Sequence, residues 1–182
     1  DEQVDSFEKF EFVPNVISAL KFIRTYTDYE LVMVTNQDGL GTDSFPEDTF
    51  WPVHNKMLSI LKSEGVEFSG MHIDESFEYE NKPTRKPGIG MLQEYLNGDY
   101  DLSHSYVIGD RNTDALMAEN LGCKSLIIKG NHLDESKLLN FTEIKKMLKP
   151  QNEVYKGMEA VHVKDIVGSE GRYHDLDRSE EH

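Results

Sequence analysis

Residues Leu31 to Thr35 (LVMVT) form a short apolar run with no polar residue until its end. A run of that length without alternation fits a strand buried on both faces, as in parallel sheets. Val66–Ile73, Ser105–Gly109 and Lys124–Ile128 are the other strand candidates. Segments with helical spacing lie between them. Pro14 suits the first turn of a helix whose apolar positions are Val16, Ile17, Leu20 and Ile23. Pro46 and Glu47 open a second helix, with Trp51, Met57, Leu58 and Leu61 as its expected buried face. Pro87 opens a third through Met91, Leu92, Tyr95 and Leu96. A fourth runs from about Asn112 to Leu121 and stops at Gly122, a good C-terminal cap, and Phe141–Leu148 supplies a fifth. Strands alternating with helices predict βαβ units and a parallel sheet, hence an α/β fold over residues 1–150. The polar stretch 151–182 reads as a tail or linker.

Composition narrows the function classes. The 182 residues carry 34 acidic and 19 basic side chains, a formal charge of −15. That balance argues against a general nucleic-acid binder, which shows a basic face. No apolar run approaches the roughly 20 residues of a membrane span. The single cysteine, Cys123, excludes an internal disulfide and a multi-cysteine zinc site. It fits a reducing, cytoplasmic setting.

Ligands of parallel sheets bind beyond the carboxyl ends of the strands, so the chemistry belongs just after Thr35, Ile73 and Gly109. Thr35-Asn36-Gln37-Asp38-Gly39 combines a hydroxyl, an amide and a flexible backbone that can donate to an anionic oxygen. An ordinary glycine-rich turn is the competing reading. Gly109-Asp110-Arg111-Asn112-Thr113-Asp114 sets two carboxylates four residues apart where a strand enters a helix. Mg²⁺ takes one or two such carboxylates and leaves room for a substrate phosphate. Helix capping by Asp110 or Asn112 is the alternative there. Thr84-Arg85-Lys86-Pro87 places adjacent cations before a helix in an acidic chain, which fits a phosphate at the helix N-terminus better than a solvated loop charge. His54, in the second helix, reads as a surface or half-buried histidine.

The order hydroxyl, lysine, acidic pair resembles the haloacid dehalogenase superfamily of phosphohydrolases. Its second, third and fourth motifs match Thr35, Lys86 and Gly109-Asp110 with Asp114. The strings QVDSFEKFEFVP, VMVTNQDGLGT, SFPEDTFWPVHN, RKPGIGML and SYVIGDRNTDALMAENLG are similar to the histidinol-phosphate phosphatase family, over roughly residues 1–128. The resemblance implies a Rossmann-like parallel sheet with helices on both faces and a small or loop-like cap. It implies Mg²⁺-dependent hydrolysis of a small-molecule phosphate monoester, histidinol phosphate to histidinol, and a fused dehydratase domain as a partner. Thr35 and Asn36 would bind phosphoryl oxygens. Lys86 would offset charge on nucleophile and phosphate, with Arg85 near the phosphate or substrate. Asp110 would ligate Mg²⁺, and Asp114 would support the site as a further ligand or from behind one.

Two departures matter. The family's first motif, Asp-x-Asp-Gly-Thr, carries the attacking carboxylate and is absent from the 182 residues. The family places that strand before the QVDS segment and in the middle of the sheet, between the strands ending at Thr35 and Gly109. The chain is therefore expected to start after it, and to be poorly folded and inactive when expressed alone. Second, Asp74–Thr84 holds no cysteine, so no structural zinc is expected. A heptose bisphosphate substrate, and a non-catalytic phosphate-binding pseudoenzyme, stay open as alternatives.

Overall fold

The computed structural model describes residues 3–128 together with 143, 144, 147 and 148. The extension 151–182 and most of the fifth helix, Phe141–Leu148, lie outside the described residues. Helix α1 (Val16–Tyr26) precedes strand β1 (Val32–Asn36), and α2 (Glu47–Ser63) leads to β2 (Gly70–Asp74). Strand β3 (Tyr106–Gly109) passes through α3 (Asn112–Leu121) into β4 (Lys124–Ile127). β1 and β2 are parallel, with Val32 opposite Gly70 and Asn36 opposite Asp74. β3 and β4 are also parallel, with Tyr106 opposite Lys124 and Gly109 opposite Ile127. The α/β reading therefore holds, and the strands form two two-stranded sheets. A cleft of about 960 Å³ is lined by Val32 and Val34 of β1 and by all four residues of β3. No helix among the described residues is long and apolar enough to cross a membrane.

Three elements depart from the sequence reading. β2 starts at Gly70 rather than Val66, because Val66 belongs to the exit of α2. Gly65 turns there with φ of 77°, and the Val66 amide donates to the Leu61 carbonyl at 2.9 Å. The third helix is a 3₁₀ segment, Gly90–Leu96, broken at Leu92. Its approach is a tight turn, in which a Cβ on Gly88 would overlap the Pro83 carbonyl. The buried face of α2 is Phe50, Val53, His54 and Leu61, and Trp51 lies exposed one position off it. Phe50 takes the inward place because its ring meets Phe45 edge-on at 5.7 Å, within a cluster of Leu40, Phe45 and Phe50. The other core cluster joins Ala19 and Ile23 of α1 to Leu126, Ile128, Ile144 and Leu148.

His54 is buried rather than half-buried, stacked on Phe50 at 5.0 Å, and its Nε2 has no hydrogen-bond partner. Burial pushes its imidazole below the ordinary value, so the folded chain keeps it neutral. The unfolded chain takes up the proton below about pH 6.5. The stability that depends on the neutral ring is complete above that pH and is lost as pH falls toward the folded value. His54→Leu is expected to flatten this acid limb, by at most about 1.4 kcal/mol per pH unit. Urea melts of both proteins between pH 7.5 and 5 check it, and parallel stability profiles would contradict it.

Candidate active site

The site gathers at the carboxyl ends of β1 and β3. Gln37 donates its Nε2 proton to Thr35 Oγ1 at 2.8 Å, which leaves the hydroxyl proton of Thr35 available to another acceptor. Asn36, the last residue of β1, makes a two-way contact with the main chain of Lys86. Its Oδ1 accepts from the Lys86 amide at 3.0 Å, and its Nδ2 donates to the Lys86 carbonyl at 3.3 Å.

The segment that carries Lys86 is braced from behind. Arg85 forks onto Asp38, Nη1 to Oδ1 at 2.5 Å and Nη2 to Oδ2 at 3.0 Å, and Nη1 also donates to the Ser76 carbonyl at 2.7 Å. Such a planar two-point pair fixes direction as well as charge. Asp74, buried at the end of β2, accepts from the Ser76 amide at 3.0 Å and from the hydroxyls of Ser76 and Thr84. Burial alone raises the Asp74 pKa. The bonds from Ser76 and Thr84, with the Arg85 charge, outweigh it and hold the carboxyl below its usual range.

Across the site, Lys86 Nζ lies 2.7 Å from Asp114 Oδ1. The other oxygen of Asp114 accepts from the Arg111 amide at 3.1 Å, so Asp114 also caps α3. The capping that the alternative reading gave to Asp110 or Asn112 is made by Asp114. Gly109 makes this approach feasible, because a Cβ there would overlap the Asp114 carboxylate.

Thr35, Asn36, Arg85, Lys86 and Asp110 line one open pocket of about 920 Å³, with Asp38 and Glu78 on its wall. Asp114 is reached through Lys86, and Lys86 and Asp110 border both this pocket and the cleft. The sequence reading gave no individual role to Gln37, Asp38, Asp74, Ser76 or Thr84. Gln37, Asp38 and Asp74 carried one signal, their place just beyond the carboxyl end of a predicted strand, and Thr84 stood beside the paired cations.

The donor set bears on Mg²⁺. Among the described residues no group of three or more His, Cys, Asp or Glu side chains gathers to hold a metal. Asp114 is committed to Lys86 and Arg111, so Asp110 is the acidic motif residue that faces the pocket. This set fits Mg²⁺ held by one carboxylate together with a phosphate and water, and does not fit an all-protein cage.

Residues 83–152 match the family model described as HAD-hydrolase-like. Over 127 residues the chain is 58% identical to the histidine biosynthesis bifunctional protein HisB of Spirosoma linguale, which covers 70% of this chain and 33% of that protein. The chain belongs to the haloacid dehalogenase superfamily. HisB of Bacteroides fragilis is 54% identical over 130 residues, 71% of this chain and 35% of that protein. The chain thus spans about a third of the length of these curated relatives. A solved D,D-heptose 1,7-bisphosphate phosphatase from B. bronchiseptica, complexed with magnesium and phosphate, superimposes with a TM-score of 0.69 at 24% identity. It covers 81% of this chain and 89% of that one, a likeness of fold.

Proposed function

We propose that this chain is the phosphatase part of a cytoplasmic histidine-biosynthesis enzyme, fused to a dehydratase domain, and that its site hydrolyses histidinol phosphate to histidinol. The observation that carries the reading is the Lys86–Asp114 pair at 2.7 Å beside Thr35 and Asp110. It gives a fixed cation, a hydroxyl donor and a free carboxylate around one space. The 58% identity to a histidine biosynthesis protein supports this substrate over heptose bisphosphate, since the heptose enzyme is similar only in fold.

In this mechanism Thr35 donates its hydroxyl proton to a phosphoryl oxygen, and Lys86, anchored on Asp114, faces the charge that builds on the others. Preorganised donors of this kind lower the barrier because they need no reorientation as charge moves. The attacking carboxylate belongs to an Asp-x-Asp-Gly-Thr strand, a string these 182 residues do not contain. That carboxylate bonds to phosphorus as the P–O ester bond breaks, and the leaving alkoxide takes its proton from the second Asp of the same string. Water then cleaves the aspartyl phosphate and releases inorganic phosphate. Mg²⁺, held by Asp110, would neutralise phosphoryl charge.

The test joins this chain to an Asp-x-Asp-Gly-Thr strand and assays phosphate esters. Histidinol phosphate should be the preferred substrate, and Asp110→Asn should cost at least about a hundredfold in Mg²⁺-dependent turnover. Near-normal activity in the variant contradicts the assignment of Asp110. Preference for heptose bisphosphate selects the other substrate, and no turnover of any ester selects the pseudoenzyme.

A further inference from the structure

We infer that Asn36 is a positioning residue for Lys86 rather than a ligand of the phosphate. The inference rests on the reading of Lys86 as the cation that faces the phosphate. Asn36 and Lys86 are 50 residues apart, and the carboxamide of one matches the main chain of the other as a bridging pair of strand residues would. The structure shows no other hydrogen-bond partner, among the described residues, for the Lys86 amide or carbonyl. A lysine on an irregular segment gains little from regular structure, and its four-carbon stem has several rotors. Here both ends are pinned. Asn36, at the end of β1, fixes the main chain, and Asp114, in the first turn of α3, fixes the ammonium at 2.7 Å. The span also ties the β1–β2 sheet to the β3–β4 sheet across the pocket. Loss of the carboxamide releases the main-chain end, and the ammonium then samples positions away from both Asp114 and the phosphate.

Calorimetric titration, with inorganic phosphate in the presence of Mg²⁺, of the chain joined to an Asp-x-Asp-Gly-Thr strand tests this, using Lys86→Ala, Asn36→Ala and the double variant. Lys86→Ala should weaken phosphate binding by about tenfold, and Asn36→Ala by nearly as much. In the Lys86→Ala background, Asn36→Ala should add less than about twofold, because both changes remove the same contact. A loss from Asn36→Ala that is undiminished in the Lys86→Ala background makes Asn36 a direct ligand and overturns the inference. An unchanged affinity on Asn36→Ala alone also overturns it.

A second readout needs no phosphate. The ¹⁵N ammonium signal of Lys86, assigned by its loss in Lys86→Arg, should shift and broaden in Asn36→Ala, whereas a residue that only binds phosphate leaves it unmoved. If Asn36→Ala loses amide dispersion, Asn36→Asp takes its place. It keeps the acceptor for the Lys86 amide and should move the signal less. An unmoved signal in the folded variant overturns the inference. If Lys86→Ala leaves phosphate affinity unchanged, the phosphatase reading of the site fails. The ammonium signal still decides whether Asn36 positions Lys86.

Discussion

Lys86→Met is expected to lower the stability of the fold and to remove phosphate affinity, and the two effects will separate in a second variant. The side chains of Lys86 and Asp114 are 14% and 5% exposed. Removing the lysine leaves a buried carboxylate with the Arg111 amide as the remaining partner recorded for it. Breaking a buried pair from one side costs about 3–5 kcal/mol, because an uncompensated charge is left in a poorly solvated place. For a chain of this size that lowers the melting temperature by on the order of 10 °C. Asp114→Asn added to Lys86→Met removes the stranded charge while an amide oxygen can still accept from Arg111. The double variant should therefore recover most of the lost stability. It should recover none of the phosphate affinity, and in the strand-joined polypeptide turnover stays down by at least about a hundredfold. Urea melts and phosphate titrations of the three proteins measure both effects. A Lys86→Met protein that melts with the wild type would show that the pair contributes nothing to the fold.

The same pair shows what was legible in the sequence. Thr35, Asp110 and Asp114 stand where strand-end chemistry in a parallel fold directs attention, and a short apolar run or a Gly-Asp step marks each place locally. Lys86 could be singled out because two adjacent cations in an acidic chain are conspicuous. The contacts that hold these residues were not legible. Asn36 to Lys86 and Arg85 to Asp38 join positions 50 and 47 residues apart, and nothing in either segment alone marks them. Arg85 reads as a free cation for phosphate, and only the fold shows its guanidinium turned onto Asp38 and Ser76. Adjacent aromatic residues blurred α2 in the same way. Phe50 and Trp51 are equally apolar, and the position of Phe45 decides which of them turns inward. Pro87 signalled a helix start, but Gly88 and Gly90 pack so close to the Pro83 backbone that the chain enters a 3₁₀ turn instead.

The amides of Val32, Val34, Tyr106 and Ile108 are expected to exchange with solvent far faster than those of their immediate neighbours. Leu31 accepts from the Ser69 amide at 2.8 Å, and Gln37 donates to the Asp74 carbonyl at 2.7 Å. The odd-numbered residues of this segment therefore face β2, and the alternation of a parallel ladder turns Val32 and Val34 to the opposite edge. Ser105 and Gly109 accept from the Lys124 and Ile128 amides at 3.0 and 2.8 Å, so Tyr106 and Ile108 likewise point away from β4. All four residues line the 960 Å³ cleft, and neither edge is paired among the described residues. An unpaired buried amide costs about 1–3 kcal/mol unless water reaches it. Water in the cleft relieves that cost and also carries exchange. Met33, Thr35 and Val107, on the paired edges, must wait for the ladder to open and should be slower by on the order of a thousandfold. A strand joined to the chain and seated between β1 and β3 would pair both edges at once. It should slow exchange at those four amides while leaving Met33, Thr35 and Val107 nearly unchanged if they are already limited by local opening. Amide exchange followed by NMR on both polypeptides gives the comparison. In the 182-residue chain, strong protection on both edges of β1 would mean that the edge facing the cleft already has a partner, and protection on neither edge would mean that the chain does not hold the β1–β2 ladder without the added strand.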